Sequence, residues 1–260
     1  IENCKDARVR YFNTGKRVSM RQNFEFALRK ATGDYFITFG DDDGILPGQF
    51  SIIRSIIEER RPDVLSWDFL TYGWPIGDNS KKSGGCRIKR ANCFGQPQKI
   101  NAQSRLLLLE KAYIDNSKPL PTLYHGCMSR RYLDQLAENK NPYFRSSSPD
   151  IYISFRALQH GGDFWHINHP LSINGFSPAS TGGSMSRLHA SVKKPETPFL
   201  IEAKTDEVKD VIPSTKSMAM GFLGTIETIR YLYPEDILSP DYVSWYRQVL
   251  LDASKKDPTT

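Results

Sequence analysis

The sequence predicts an α/β protein: a mixed, mostly parallel sheet flanked by helices, with a helical extension at the C-terminus. Three observations carry this. Short apolar runs rich in β-formers, Tyr35 to Phe39, Asp63 to Tyr72 and Phe164 to Ile173, do not alternate cleanly, as expected of strands covered on both faces. Segments with apolar residues at helical spacing separate them. Beyond about residue 199 the strand signals cease and two amphipathic helical patterns take over.

Taken in order, Arg8 to Phe12 alternates like a short strand, and Ser19 with Gln22 three residues on forms a capping-box pattern. Met20, Phe24, Ala27, Leu28 and Ala31 then recur at helical spacing until Gly33. After the strand Tyr35 to Phe39, Pro47 suits the first turn of a helix whose apolar face is Phe50, Ile53, Ile56 and Ile57, stopped by Pro62. Asp63 to Tyr72 resumes strand character. Ser104 to Tyr113 and Ser129 to Glu138 read as helices around a strand at Leu123 to Met128. Ser148-Pro149-Asp150 opens a helix that runs to Gly161-Gly162 and leads to the strand Phe164 to Ile173.

Residues 1–175 therefore form the core, and 176–198 a Ser-, Gly- and Pro-rich loop with the texture of an active-site lid. Residues 199–260 form the extension. Its helices present Met218, Phe222, Ile226, Ile229 and Leu232, then Val243, Tyr246, Val249 and Leu250. Three placements stay open for these faces: packing on the core, which is the default, a homo-oligomer contact, or peripheral association with a membrane surface.

With 260 residues, 39% apolar and 25% charged, the chain suffices for one main core, and no run approaches the roughly 18 apolar residues of a helical membrane span. Cys4, Cys86, Cys93 and Cys127 are scattered, which fits free thiols in a reducing cytoplasm and not a zinc clip. The formal charge is +6. Lys81, Lys82, Arg87, Lys89 and Arg90 cluster in a Gly-containing loop that suits phosphates, an anionic bilayer or plain solvation; no nucleic-acid motif accompanies it.

Asp41-Asp42-Asp43 stands where the run Tyr35 to Phe39 ends. In open α/β sheets ligands bind beyond the carboxyl ends of strands. Crowded carboxylates repel and raise one another's pKa unless a cation compensates them. A hard divalent ion does so, and Mg²⁺ characteristically takes one or two carboxylates plus substrate phosphate oxygens. The bland alternative is a polar turn whose aspartates favour a following helix. The buried strand running straight into the carboxylates favours the metal-bound diphosphate.

Val18-Ser19-Met20-Arg21-Gln22-Asn23-Phe24-Glu25, Ala31-Thr32-Gly33-Asp34-Tyr35 and Gly40-Asp41-Asp42-Asp43-Gly44-Ile45-Leu46-Pro47 together resemble the family 2 glycosyltransferases of GT-A (Rossmann-like) fold. The likeness covers about Arg8 to Gly175. It implies a nucleotide-diphosphate sugar as donor, and a glycan or lipid-linked acceptor in surface polysaccharide assembly at the inner face of the membrane. It also implies Asp-x-Asp roles: Asp43 holding Mn²⁺ or Mg²⁺, Asp41 touching the ribose or the metal shell, Asp42 sharing either role, and Asn23 on the donor side.

Inverting transfer further needs a base to take the acceptor proton while the diphosphate leaves. The resemblance places it at a helix start after an acceptor loop; Tyr124 to Arg131 resembles that loop, and Ser148-Pro149-Asp150 the helix start, so Asp150 is the expected base. Its position in a first turn would lower its pKa. The family's first acid of that pair is Pro149 here, and where the family often shows a metal-binding His this chain has Asn174-Gly175-Phe176-Ser177. His166, His169 and His189 lie nearby without a motif. Trp67, Trp74 and Trp165 are candidates to stack on a sugar. The family's opening β-α-β unit is not recognised, so a truncated start is the expectation. Two other classes stay open: a sugar-nucleotide nucleotidyltransferase, which would carry a basic Gly-rich loop near its N-terminus, and a non-catalytic sugar-binding scaffold.

Overall fold

A computed structural model describes residues 5–75, 84–88, 93–113, 119–138, 141–177, 180, 197–213, 215, 217–235 and 238–254. Helix α1 (Met20–Lys30) begins at the expected capping box: Ser19 Oγ accepts from the Gln22 amide, and the Gln22 side chain accepts from the Ser19 amide. Then follow β1 (Tyr35–Ile37), β2 (Gly44–Ile45), α2 (Phe50–Arg60), β3 (Val64–Gly73), β4 (Cys86–Arg87), β5 (Pro97–Lys99) and α3 (Ala102–Glu110). Next come β6 (Gly126–Ser129), α4 (Arg130–Ala137), α5 (Pro149–His160), β7 (Phe164–Phe176), α6 (Pro198–Thr205), α7 (Met218–Leu232) and α8 (Tyr242–Ser254).

The strands make one sheet in the order β1-β6-β3-β7-β2, with β4 beside β3 and β5 beside β7. The mixed α/β architecture is the one expected. Its parallel character resides in the central β3–β7 ladder, which runs from Val64 opposite Phe164 to Gly73 opposite Phe176; the shorter ladders around it are antiparallel. Residues 64–67 of β3 are buried, and beyond the register shift at Asp68 the strand is partly exposed.

Successive β3 residues serve opposite faces, as the unbroken apolar run requires. Val64 joins Met128 and Phe164 against Leu28, Leu133, Leu136 and Ile153, whereas Leu65 and Trp67 join Cys127, Ile167 and Leu171 against Ile53 and Ile56. A second core lies between helices, where Leu106, Leu109, Tyr152 and Phe155 meet Leu223, Ile226, Ile229 and Trp245. The extension therefore packs on the core, the default placement. The seam it uses on α8 differs from the expected face: Trp245 is fully buried, while Val243, Tyr246 and Leu250 are 80%, 55% and 69% exposed.

Other expectations shift for local reasons. Arg8 to Phe12 is irregular and exposed, since its backbone finds no ladder among the described strands. Pro47 sits in the turn ahead of α2, because the preceding Leu46 amide is held by the Leu171 carbonyl of β7; Phe50 points outward. Cys86 and Cys127 are free thiols. Lys81, Lys82, Lys89, Arg90, Cys4, His189 and most of the 176–198 loop lie outside the described residues. Among the described residues no helix is long and apolar enough to cross a membrane.

Candidate active site

The acidic turn closes where β1 ends. Thr38 bridges Tyr124, the chain reverses through Gly40 to Asp43, and Gly44-Ile45 returns as β2 against Ile173 and Ser172 of β7. Asp43 is the hub of this reversal. Its Oδ2 accepts from the Gly40 amide at 2.8 Å and from the Tyr124 hydroxyl, and its Oδ1 accepts from the Gly175 amide at 2.8 Å. The side chain has 0% exposure. Both its oxygens thus tie the end of β1, the Tyr124 segment and β7 together.

Asp41 is exposed, and Asp42 is half-buried with Oδ2 accepting from the Ser177 amide at 3.3 Å. The Asp42 carbonyl accepts from the Trp74 indole N–H at 3.0 Å. Gly175 makes this closure feasible, because a Cβ there would stand 1.8 Å from the Asp42 carbonyl oxygen. In a strand an isolated glycine signals close backbone approach, the one cue in the sequence that pointed to this contact.

Beneath the turn lies a polar network that sequence reasoning did not assemble. Burial, then its bond to Asp43, pushes the Tyr124 hydroxyl pKa far up, so Tyr124 is a fixed proton donor. His125 is buried at a left-handed φ of 54°, packed against Phe39, Phe69 and Tyr124. Burial lowers its pKa to about 4 against the opposing pull of Asp43, so the ring is neutral. Ser172 Oγ accepts from the Trp67 indole at 2.9 Å and lies 2.9 Å from His125 Nδ1. If Ser172 gives its own hydrogen to Nδ1, the ring proton sits on Nε2, which makes no hydrogen bond and faces Asp43 Oδ1 at 3.9 Å.

Asp150 occupies the second position of α5, after Pro149. Burial raises its pKa and outweighs the backbone amides of Ile151 and Asp150 that pull it down. This reverses the lowering that a first-turn position alone implied. No hydrogen bond or ion pair among the described residues joins it to the acidic turn. The approach to α5 is braced from two sides. Glu25 of α1 accepts from the Tyr143 and Phe144 amides at 2.9 and 3.2 Å, and Asp210 accepts from the Ser147 amide at 3.1 Å.

Asn23 is not brought to this place. It is exposed on α1 and lines a separate hollow of about 580 Å³ with Arg10, Phe12 and Lys30. His166 is buried, with Nδ1 2.9 Å from Ser66 Oγ, and His169 Nδ1 accepts from the Phe94 amide at 3.1 Å. Trp67 is buried and Trp165 lies under the Arg60 guanidinium at 4.2 Å, which leaves Trp74, 43% exposed, as the indole at the turn. Among the described residues no three His, Cys, Asp or Glu side chains form a ready metal cage. The donor set at the turn is two hard carboxylates, Asp41 and Asp42, and that fits a Mg²⁺-type ion which completes its shell with phosphate and water oxygens.

The chain is a mixed α/β protein with an acidic turn beyond a strand end, the place where ligands bind in open α/β sheets. The model of "Glycosyl transferase family 2" matches residues 1–117, so that part of the chain is similar to the family. No curated protein matches. Among solved structures, TarS 1-349 of S. aureus is similar at 11% identity with TM-score 0.40, over 92% of this chain and 61% of that one. The same protein with UDP-GlcNAc gives 10% identity and TM-score 0.41, over 90% and 60%. The chain thus spans about three fifths of the TarS chain in these two structures.

Proposed function

We propose that this chain is the catalytic part of an inverting, metal-dependent glycosyltransferase. It would move a sugar from a nucleotide-diphosphate donor to a glycan or lipid-linked acceptor in surface polysaccharide synthesis. The observation that carries the reading is the division of labour in the acidic turn: Asp43 holds it, while Asp41 is exposed and Asp42 half-buried beyond the end of β1. This reassigns the ion from Asp43 to its two neighbours.

Asp41 and Asp42 would hold Mn²⁺ or Mg²⁺. When bound, the ion supplies Lewis-acid stabilisation to the departing diphosphate. The Gly40 and Gly175 amides, through Asp43, keep the turn in one conformation, so the carboxylates need not be ordered when donor arrives. Asp150 would take the acceptor hydroxyl proton as that oxygen bonds to the anomeric carbon and the carbon–diphosphate bond breaks. Its raised pKa makes the carboxylate a stronger base than an ordinary Asp.

Calorimetry with UDP, GDP and their sugar conjugates, with and without Mn²⁺, tests this. Metal-dependent binding that Asp42→Asn abolishes is expected. Sugar binding that needs neither nucleotide nor metal would overturn the transferase reading in favour of a scaffold.

A further inference from the structure

Trp74 is held at the acidic turn in a way that no packing need explains. Its indole N–H donates to the Asp42 carbonyl at 3.0 Å, its backbone amide donates to the Phe176 carbonyl at 3.1 Å, and Tyr72 meets its ring edge-on at 5.2 Å and 89°. Gly175 lies close against both, since a Cβ there would come within 2.9 Å of Nε1. The orientation of the ring is therefore fixed from three directions, yet the residue stays 43% exposed. A buried Trp is usually kept for its packing; an immobilised, half-open one beside the acidic turn presents a preformed apolar face.

We propose that the open face of Trp74 is a stacking platform for the hexopyranose carried by the donor diphosphate. This rests on the transferase reading and names the subsite that reads the sugar. A pyranose has one face of C–H groups that matches an aromatic ring, whereas the diphosphate it hangs from is claimed by the carboxylates. Through the Asp42 carbonyl, the indole is bonded to the backbone of one of the two residues that would hold the ion. The same hydrogen bond sets the angle of the platform against the turn.

The experiment compares binding of a nucleotide diphosphate and of its sugar conjugate, in Mn²⁺, to wild type, Trp74→Ala and Trp74→Phe. The probes are UDP, GDP and their glucose, N-acetylglucosamine and mannose conjugates. In Trp74→Ala the conjugate is expected to bind about tenfold more weakly, the effect of losing roughly 50 Å² of apolar contact, with the bare nucleotide unchanged. Trp74→Phe keeps an aromatic face and loses only the N–H, so the conjugate stays within about threefold of wild type. Equal weakening of nucleotide and conjugate, or no change in either, overturns the platform. Should Trp74→Ala melt at a markedly lower temperature, Trp74→Phe decides instead: loss of sugar discrimination there would show that the anchor matters and the face does not. A wild type that binds none of these probes overturns the transferase reading itself, a result distinct from one in which donors bind and Trp74 is indifferent.

Discussion

The acidic turn and the start of α5 each carry a carboxylate withdrawn from water, and the two are treated in opposite ways. Asp43 accepts from two backbone amides and a tyrosine hydroxyl drawn from three segments of the chain. Among the described residues Asp150 draws on only the amides of its own helix turn, and burial dominates its titration. A carboxylate whose lone pairs are filled by distant donors serves as a structural joint; one left short of donors is poised to gain a proton. Neighbouring positions in one motif, or acids equally prominent in a sequence, can thus differ in kind.

The sharpest way to break this contrast is Asp43→Ala. It leaves the Gly40 and Gly175 amides and the Tyr124 hydroxyl without their acceptor, so a loss of about 3 kcal/mol in unfolding free energy is expected in urea titrations. Metal-dependent donor binding should vanish with it, although Asp41 and Asp42 remain. If binding disappeared with stability untouched, Asp43 would be a ligand to the ion and the joint would be the wrong description.

Asp150→Asn should do the reverse. Transfer is expected to fall roughly 10²–10⁴-fold with donor binding intact, the share attributed to general-base help. Stability at neutral pH should rise. A carboxyl whose folded pKa lies above its unfolded value of 3.8 holds its proton more tightly in the native state, so stability declines as pH climbs between the two values, and Asn escapes that decline. In wild type the acid limb of the rate profile should lie above the ordinary carboxylate range, since the base works only when ionised. A variant less active and less stable together would make Asp150 a packing residue.

His125 offers a test beneath the turn. Its folded pKa, about 4, lies below the unfolded value, so the stability of the neutral ring is complete above about pH 6.5 and is lost as pH falls toward 4, by up to about 3 kcal/mol. His125→Asn suits the left-handed backbone and removes the titration. Stability-against-pH curves of the two proteins should differ in slope between about pH 4 and 6.5 and run parallel above it; parallel curves throughout would exclude His125 as the group responsible.

How much of this was legible in the sequence follows from how local each determinant is. The capping box at Ser19, the strand into the acidic run and the Pro149 helix start are set within a few residues, and the structure has them where expected. Which aspartate is tied down depends on Tyr124 and Gly175, which are 81 and 132 positions from Asp43. No spacing rule reaches that far, and a family motif assigns positions without knowing their donors. The raised pKa of Asp150 is likewise a packing effect, overriding a helix-end rule that holds for solvated termini. Arg8 to Phe12 shows the limit from the other side: alternation describes what a segment can do in a ladder and not whether one is available.

The smallest effect is the most diagnostic for the joint. Tyr124→Phe removes one of three bonds to Asp43 and leaves the ring beside His125 in place. About 1 kcal/mol of stability should go with it, the usual worth of one hydrogen bond, or somewhat more because the acceptor is charged. The kinetic signature should separate positioning from simple loosening. With Asp43 still held by Gly40 and Gly175, the turn forms but samples a wider range, so the KM for donor should rise severalfold while kcat, governed at Asp150, stays near wild type. Raising the Mn²⁺ concentration should restore much of the difference, because an ion bound to Asp41 and Asp42 selects the ordered turn. A fall in kcat that metal does not rescue would place Tyr124 with the acceptor and not with the acidic turn.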